Sequence, residues 1–317
     1  MDSLRTPDER FVGLVDYPFQ AHFLPVGDEL VMHYVDEGPA DGPPVLLLHG
    51  QPTWSYLYRH VIPVLRAAGL RAIAPDLIGF GKSAKPIRRT DYSVRAHVRW
   101  LGALVLGLDL RDVTLVVQDW GGPIGLAVLA QDPERFARVV AANTVLHTTD
   151  PALAGALSWA CHQGVDGSMV IEPALLDYQR MTQELPDFRP SLFVQGATER
   201  EVEDEVLAGY DAPFPDEAFC AGARQLPLLM GLTPASECAR VNRHTAKALG
   251  EFTKPFLTAF SDGDPSTQGW AEVLQDAVPG ARGQPHQVVP GAGHFLQEDD
   301  GNALAQIIAR FAAGTSF

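Results

Sequence analysis

The chain has 317 residues, with 39 acidic against 24 basic side chains and a net charge of −15. That length suits one large domain or two smaller units, and a chain of this size buries roughly three quarters of its unfolded surface. At 46% hydrophobic and 20% charged residues the composition is that of an ordinary globular protein. The acidic excess argues against nucleic acid and anionic membrane surfaces as partners, because both need clustered Lys and Arg.

The three cysteines, Cys161, Cys220 and Cys238, are odd in number and widely spaced, so they read as reduced thiols of a cytoplasmic protein. Residues 1–14 mix Asp, Glu, Arg and Pro and lack the apolar stretch of a signal peptide. No later segment is apolar for long enough to suggest a membrane span.

In chain order, His22 to Val26 and Leu30 to Val35 read as opening strands. Pro44 to His49 is a continuous apolar run ending in a Gly-containing turn, the pattern of a strand buried on both faces. Thr53 to Ala68 has helical spacing, with Thr53 as cap and Gly69 as stop. Arg71 to Leu77 is the next strand, Ser93 to Leu108 the next helix, and Asp112 to Gln118 a buried strand running into Asp119-Trp120-Gly121-Gly122. A helix then precedes a strand at Arg138 to Asn143.

Over roughly residues 147–226 the alternation gives way to irregular helical patterning, which predicts an inserted domain. Strand signals return at Lys254 to Phe260 and His286 to Val289, and an amphipathic helix closes the chain at Asn302 to Ala312. Strands alternating with helices predict an α/β fold with a mostly parallel sheet.

Asp119, Asp264 and His294 lie just past the C-terminal ends of three of these strands, where open α/β sheets place ligands. Their chain order is nucleophile, acid, base. Val117-Gln118-Asp119-Trp120-Gly121 has the form of a strand-to-helix nucleophile elbow with Asp in place of Ser. That exchange changes the chemistry, since a carboxylate can displace a leaving group from saturated carbon and become an alkyl ester. His294 then supplies the base for a water that cleaves the ester, and an acid holds its imidazole in the required tautomer. Asp262 and Asp264 compete for that last place, and the following Pro favours Asp264, leaving Asp262 as a turn residue. By the logic of the elbow, the backbone N–H groups of Gln51 and Trp120 form the oxyanion hole.

Gly79-Phe80-Gly81 reads as a turn, because the following Lys82 to Pro86 does not open the helix that a phosphate loop needs. Cys161-His162 has no companions at metal-ligand spacing. No cofactor or metal is implied. The acidic run Glu199 to Glu205 reads as a solvated helix face.

Six segments together resemble the haloalkane dehalogenases of the α/β-hydrolase superfamily: HGQPTWSYLYR (His49 to Arg59), APDLIGFGKSAKP (Ala74 to Pro86), VVQDWGG (Val116 to Gly122), AGYDAPFPD (Ala208 to Asp216), FSDGDP (Phe260 to Pro265) and GAGHFLQED (Gly291 to Asp299). The resemblance implies an α/β-hydrolase main domain at residues 1–147 and 227–317 with a helical cap at 148–226. It implies nucleophilic Asp119, acid Asp264, base His294 and a halide-binding indole on Trp120. The implied partners are a small apolar halogenated substrate, water and the product halide, the implied product a primary alcohol, and the implied assembly a monomer or homodimer.

Two positions depart from the pattern. Gln51 stands where Glu is expected after His49-Gly50, and Tyr178 of Ala174 to Tyr178 falls where the cap should carry a second halide-binding Trp, with Trp159 as the other candidate. Paired phenols also serve the related epoxide hydrolases. An epoxide hydrolase with the same nucleophile is therefore an alternative, and a non-catalytic small-ligand binder is a further one.

Overall fold

The computed structural model describes residues 1–146, 161–163, 169–231 and 233–314. Among these, eight strands form the central sheet: β1 (His22–Gly27), β2 (Leu30–Glu37), β3 (Pro44–Leu48), β4 (Arg71–Pro75), β5 (Val113–Val117), β6 (Phe136–Ala141), β7 (Phe256–Ser261) and β8 (Gln287–Val289). Their spatial order is β1-β2-β4-β3-β5-β6-β7-β8. The first two strands pair antiparallel, β2 pairs antiparallel with β4, and every later neighbour is parallel.

Burial follows position in this order. The central strand β5 is buried at all five residues, whereas edge strand β1 alternates between exposed and more buried positions. A strand covered by helices on both faces needs apolar side chains on both, and an edge strand needs them on one. Helices α1 (Val61–Ala67), α2 (Val94–Gly107) and α3 (Gly121–Gln131) follow β3, β4 and β5 in the chain. Ser93 caps α2 as expected, accepting from the Ala96 N–H over 3.2 Å.

The helix expected at residues 53–68 is two pieces, a 3₁₀ turn at Ser55–Tyr58 and then α1. Pro63 explains the break. It has no N–H to give to the Arg59 carbonyl, so the helix starts late enough to place it in the first turn, where no donor is needed. Thr53 is not a cap, because its hydroxyl donates back to the Gly50 carbonyl.

Between β6 and β7 the chain forms α4 (Pro173–Glu184), α5 (Pro190–Gly196), α6 (Asp204–Asp211) and α7 (Ala221–Gln225). The start expected for an insert, residue 148, lies outside the described residues, as does Trp159. The expected end at 226 falls where α7 passes into a 3₁₀ turn at Leu226–Leu229. The acidic run 199–205 is exposed at its charged positions, but it is mainly the approach to α6, which begins only at Asp204.

After α8 (Glu237–Leu249), strand β7, α9 (Trp270–Ala277) and β8, the last helix α10 spans Leu296–Ala313. It starts six residues before its expected position and is kinked at Asp300, whose backbone leaves the helical region. Arg59 and Glu298 pair side by side in the core, each side chain 2% exposed, and Tyr210 of α6 donates to the same carboxylate. This network ties α6 to the sheet-covering α10.

Candidate active site

Strand β5 delivers Asp119 to the sheet's C-terminal edge in a left-handed backbone conformation, φ 48°. Such a conformation is uncommon for a residue with a side chain and persists only when neighbours hold it. Here the Asp119 N–H donates to the Asn143 carbonyl (2.9 Å), and the Asp119 carbonyl accepts from the Gly122 N–H (3.0 Å) and the Thr144 hydroxyl (2.7 Å). Asn143 and Thr144 follow β6, so the neighbouring strand end clamps the turn.

His294 comes from the loop after β8. Its Nδ1 is 2.8 Å from Asp264 Oδ2, and its Nε2 is 3.4 Å from Asp119 Oδ2. The three residues placed together by the sequence reading therefore meet in a line, with imidazole between carboxylates. Asp262 points elsewhere and accepts from the Gly291 N–H over 2.7 Å.

Burial alone would push the Asp264 carboxyl up. The charge of His294 outweighs it, joined by hydrogen bonds from His294, Ser266 and Thr267, and the group is held well below the usual carboxylate range. Burial likewise pulls the His294 imidazole down, but the fields and hydrogen bonds of Asp264 and Asp119 push it up to about 10.

Asp119 Oδ1 faces the other way and accepts from the Gln51 N–H at 2.7 Å. Close approach is possible because Gly50 has no side chain: a Cβ there would stand 2.1 Å from that oxygen. His49 shapes this turn from below. Its Nδ1 donates to the Gly50 carbonyl (2.8 Å) and its Nε2 accepts from the Leu77 N–H (2.9 Å), an arrangement only the neutral ring can make. Burial also pulls its imidazole down, in keeping with that form.

Above Asp119 lies a cavity of about 560 Å³, with Trp120, Gln51, Tyr178 and His294 among its polar lining and Met181, Leu185, Phe193 and Met230 among its apolar walls. Helices α4 and α5 supply much of this roof. Its size and largely apolar lining suit a small organic ligand. The Tyr178 hydroxyl donates to Gln51 Oε1, and Gln51 Nε2 donates to the Ala223 carbonyl at 3.2 Å. Among the described residues, no three His, Cys, Asp or Glu side chains are grouped to hold a metal ion.

Several contributors escaped the sequence reading. Ser266 gives Asp264 Oδ1 both its N–H (2.9 Å) and its hydroxyl (2.5 Å), and Thr267 donates to Oδ2 (2.6 Å). The signal was present, since Ser and Thr two and three places after an Asp are Asx-turn chemistry. Asn143 donates through Nδ2 to Ser261 Oγ and to the Gly293 carbonyl, joining the ends of β6 and β7 to the histidine loop. Gln118 donates to the His294 carbonyl over 3.3 Å. The His294 N–H itself donates to the Ala197 carbonyl beyond α5 (2.8 Å), so the end of α5 is fastened to the loop that carries His294.

An elbow Asp, a histidine between two carboxylates and a sheet that turns parallel after β4 define an α/β hydrolase with a carboxylate at the strand-to-helix elbow. Residues 43–160 match the family model of the alpha/beta hydrolase fold. The chain is 46% identical over 316 residues to the haloalkane dehalogenase of Psychrobacter cryohalolentis, covering 98% of both chains. It is 46% identical over 312 residues to that of Mycolicibacterium paratuberculosis, covering 97% of both. The solved structure of haloalkane dehalogenase DpaA from Paraglaciecola agarilytica, described as tetrameric, superposes with a TM-score of 0.84 at 30% identity over 97% of each chain.

The chain belongs to the haloalkane dehalogenases, hydrolases acting on carbon–halide bonds. The epoxide hydrolase and the non-catalytic binder are not favoured, since these relatives are dehalogenases.

Proposed function

We propose that Asp119 performs the displacement and that His294, steadied by Asp264, directs the water that follows. The observation carrying this reading is the division of the Asp119 carboxylate, with Oδ2 toward His294 and Oδ1 on the Gln51 N–H. Oδ2 attacks the halogen-bearing carbon in line, the C–O bond forms as the carbon–halogen bond breaks, and halide leaves with the electron pair. A neutral alkyl ester remains.

Ester formation cancels the charge on Asp119 and removes one of the two carboxylate fields that push His294 up. The imidazole then falls toward the neutral form that a base needs. It takes a proton from water as the oxygen attacks Cγ, and negative charge gathers on Oδ1, where the Gln51 N–H already points. The Trp120 N–H is read as the second donor of this hole. Collapse expels the alcohol oxygen, which takes the proton from His294 and leaves Asp119 as the carboxylic acid; that acid gives its remaining proton to the neutral imidazole, and Asp119 is a carboxylate again.

Halide is read as departing toward the Trp120 indole, a donor that carries no charge to retain an anion, and toward Tyr178 as the second donor. No cofactor enters these steps. Helices α4 to α7 act in this reading as the cap, with residues 148–226 as its bounds over the two parts of the main domain. The same reading takes the enzyme to be a cytoplasmic monomer or homodimer, supported on the first count by the free, buried Cys220 and Cys238. No helix among the described residues is long and apolar enough to cross a membrane. Light scattering on the eluting protein tests the assembly, and a tetramer would overturn that part.

The mechanism is tested by ion chromatography of halide released from short bromo- and chloroalkanes. Release that disappears in Asp119→Ala supports it. Undiminished release by the variant would exclude Asp119 as nucleophile.

A further inference from the structure

Gln51 is the one departure from the family pattern that touches both the nucleophile and the roof of the cavity. Its backbone N–H serves Asp119, while its carboxamide reaches Ala223 of α7 and Tyr178 of α4. The orientation of that carboxamide follows from its partners. A backbone carbonyl only accepts, so the amide nitrogen faces Ala223 and Oε1 faces Tyr178.

Oε1 has no proton, so the single proton of the Tyr178 hydroxyl is the one shared between them. We propose that Gln51 is a positioning residue that holds this proton away from the halide site, so that product halide and Gln51 Oε1 compete for the same Tyr178 donor. This inference rests on the reading above that Tyr178 is a halide donor. Burial, followed by the charge on Asp119, pushes the phenol well above its ordinary range, so it remains a protonated donor throughout.

The arrangement also accounts for Gln in place of Glu. A carboxylate at position 51 would set an acceptor against the Ala223 carbonyl, 3.2 Å from the present nitrogen, and add a second negative charge beside Asp119 and any departing anion. Competition for the phenol weakens halide retention, which favours release of the product halide.

The experiment measures bromide inhibition of turnover in the wild type, Gln51→Met, Tyr178→Phe and the double variant. Loss of the acceptor should tighten bromide inhibition about threefold to tenfold, the range of one ordinary hydrogen bond. That gain should vanish when Tyr178→Phe is also present. A gain that persists without the phenol, or no tightening in Gln51→Met while Tyr178→Phe weakens bromide, would overturn the competition.

If Tyr178→Phe leaves bromide inhibition unchanged in both backgrounds, the reading of Tyr178 as halide donor fails instead. Gln51→Leu serves as a second variant should Gln51→Met fold poorly, with the same outcomes decisive.

Discussion

Gln51 and Asp119 meet backbone to side chain, N–H to Oδ1 at 2.7 Å, across a gap that only the bare Cα of Gly50 leaves open. A methyl group at Gly50 would stand 2.1 Å from that oxygen and 2.5 Å from the Asp119 Cβ. Neither the sheet-held turn nor the clamped elbow can yield cheaply. Gly50→Ala should therefore lower kcat by about 100-fold or more, the scale of losing one oxyanion donor. Steady-state halide release beside a melting curve checks this, and an unaltered kcat would remove the Gln51 N–H from the mechanism.

In the proposed mechanism His294 serves water attack and not displacement. Exposing His294→Ala to a bromoalkane should leave one alkyl group on each chain, located at Asp119 by peptide mass, with at most one equivalent of bromide released. Bound substrate without any adduct would contradict the ester.

Asp264 is fully buried as a side chain and receives the imidazole, two hydroxyls and an amide. Asp264→Asn keeps the shape but favours the wrong tautomer of His294. Turnover at neutral pH should fall by about 10⁴-fold, while the first burst of halide survives. Stopped-flow halide detection separates the two phases, and loss of the burst would assign Asp264 to the displacement as well.

Arg59 and Glu298 illustrate a cost borne by the fold. Leaving either charge alone in the core should lower unfolding stability by about 3–5 kcal/mol in denaturant titration, and replacing both by apolar residues should cost less. Glu298→Gln is the informative single variant because Tyr210 then also loses its charged acceptor. A loss no larger than that of a surface pair would show the network to be dispensable.

His294 and Asp264 give opposite pH signatures. His294 is raised in the folded protein, from 6.5 to about 10. Its stabilising contribution is therefore complete below about pH 6.5 and is lost as the pH rises through about 10. Asp264 is lowered, so its contribution is present above about pH 4 and is lost as the pH falls. Unfolding of wild type against His294→Gln should show an advantage that shrinks in alkali, and against Asp264→Asn one that shrinks in acid. Parallel profiles would place the stabilisation elsewhere.

Much of this protein was legible in one dimension. Apolar runs such as Val113 to Val117 must lie between covering layers, and glycines such as Gly121 and Gly122 after an Asp mark the elbow, because strand burial and tight turns are set by residues adjacent in the chain. The order Asp119, Asp264, His294 and the six family segments likewise needed no coordinates. The helix expected at residues 53–68 overlooked a local rule, since Pro63 lies within it and by itself forces the late start of α1.

The following Pro already favoured Asp264 over Asp262 in the sequence, and the folded chain sets Asp264 against His294 and Asp262 against the Gly291 N–H. The fold also aimed the Gln51 carboxamide, between Ala223 of α7 and Tyr178 of α4, and set Arg59 against Glu298. The physical reason is common to all three. A side chain's direction, partners and charge state depend on groups brought within hydrogen-bond reach by tertiary packing, and sequence separation carries no record of that distance.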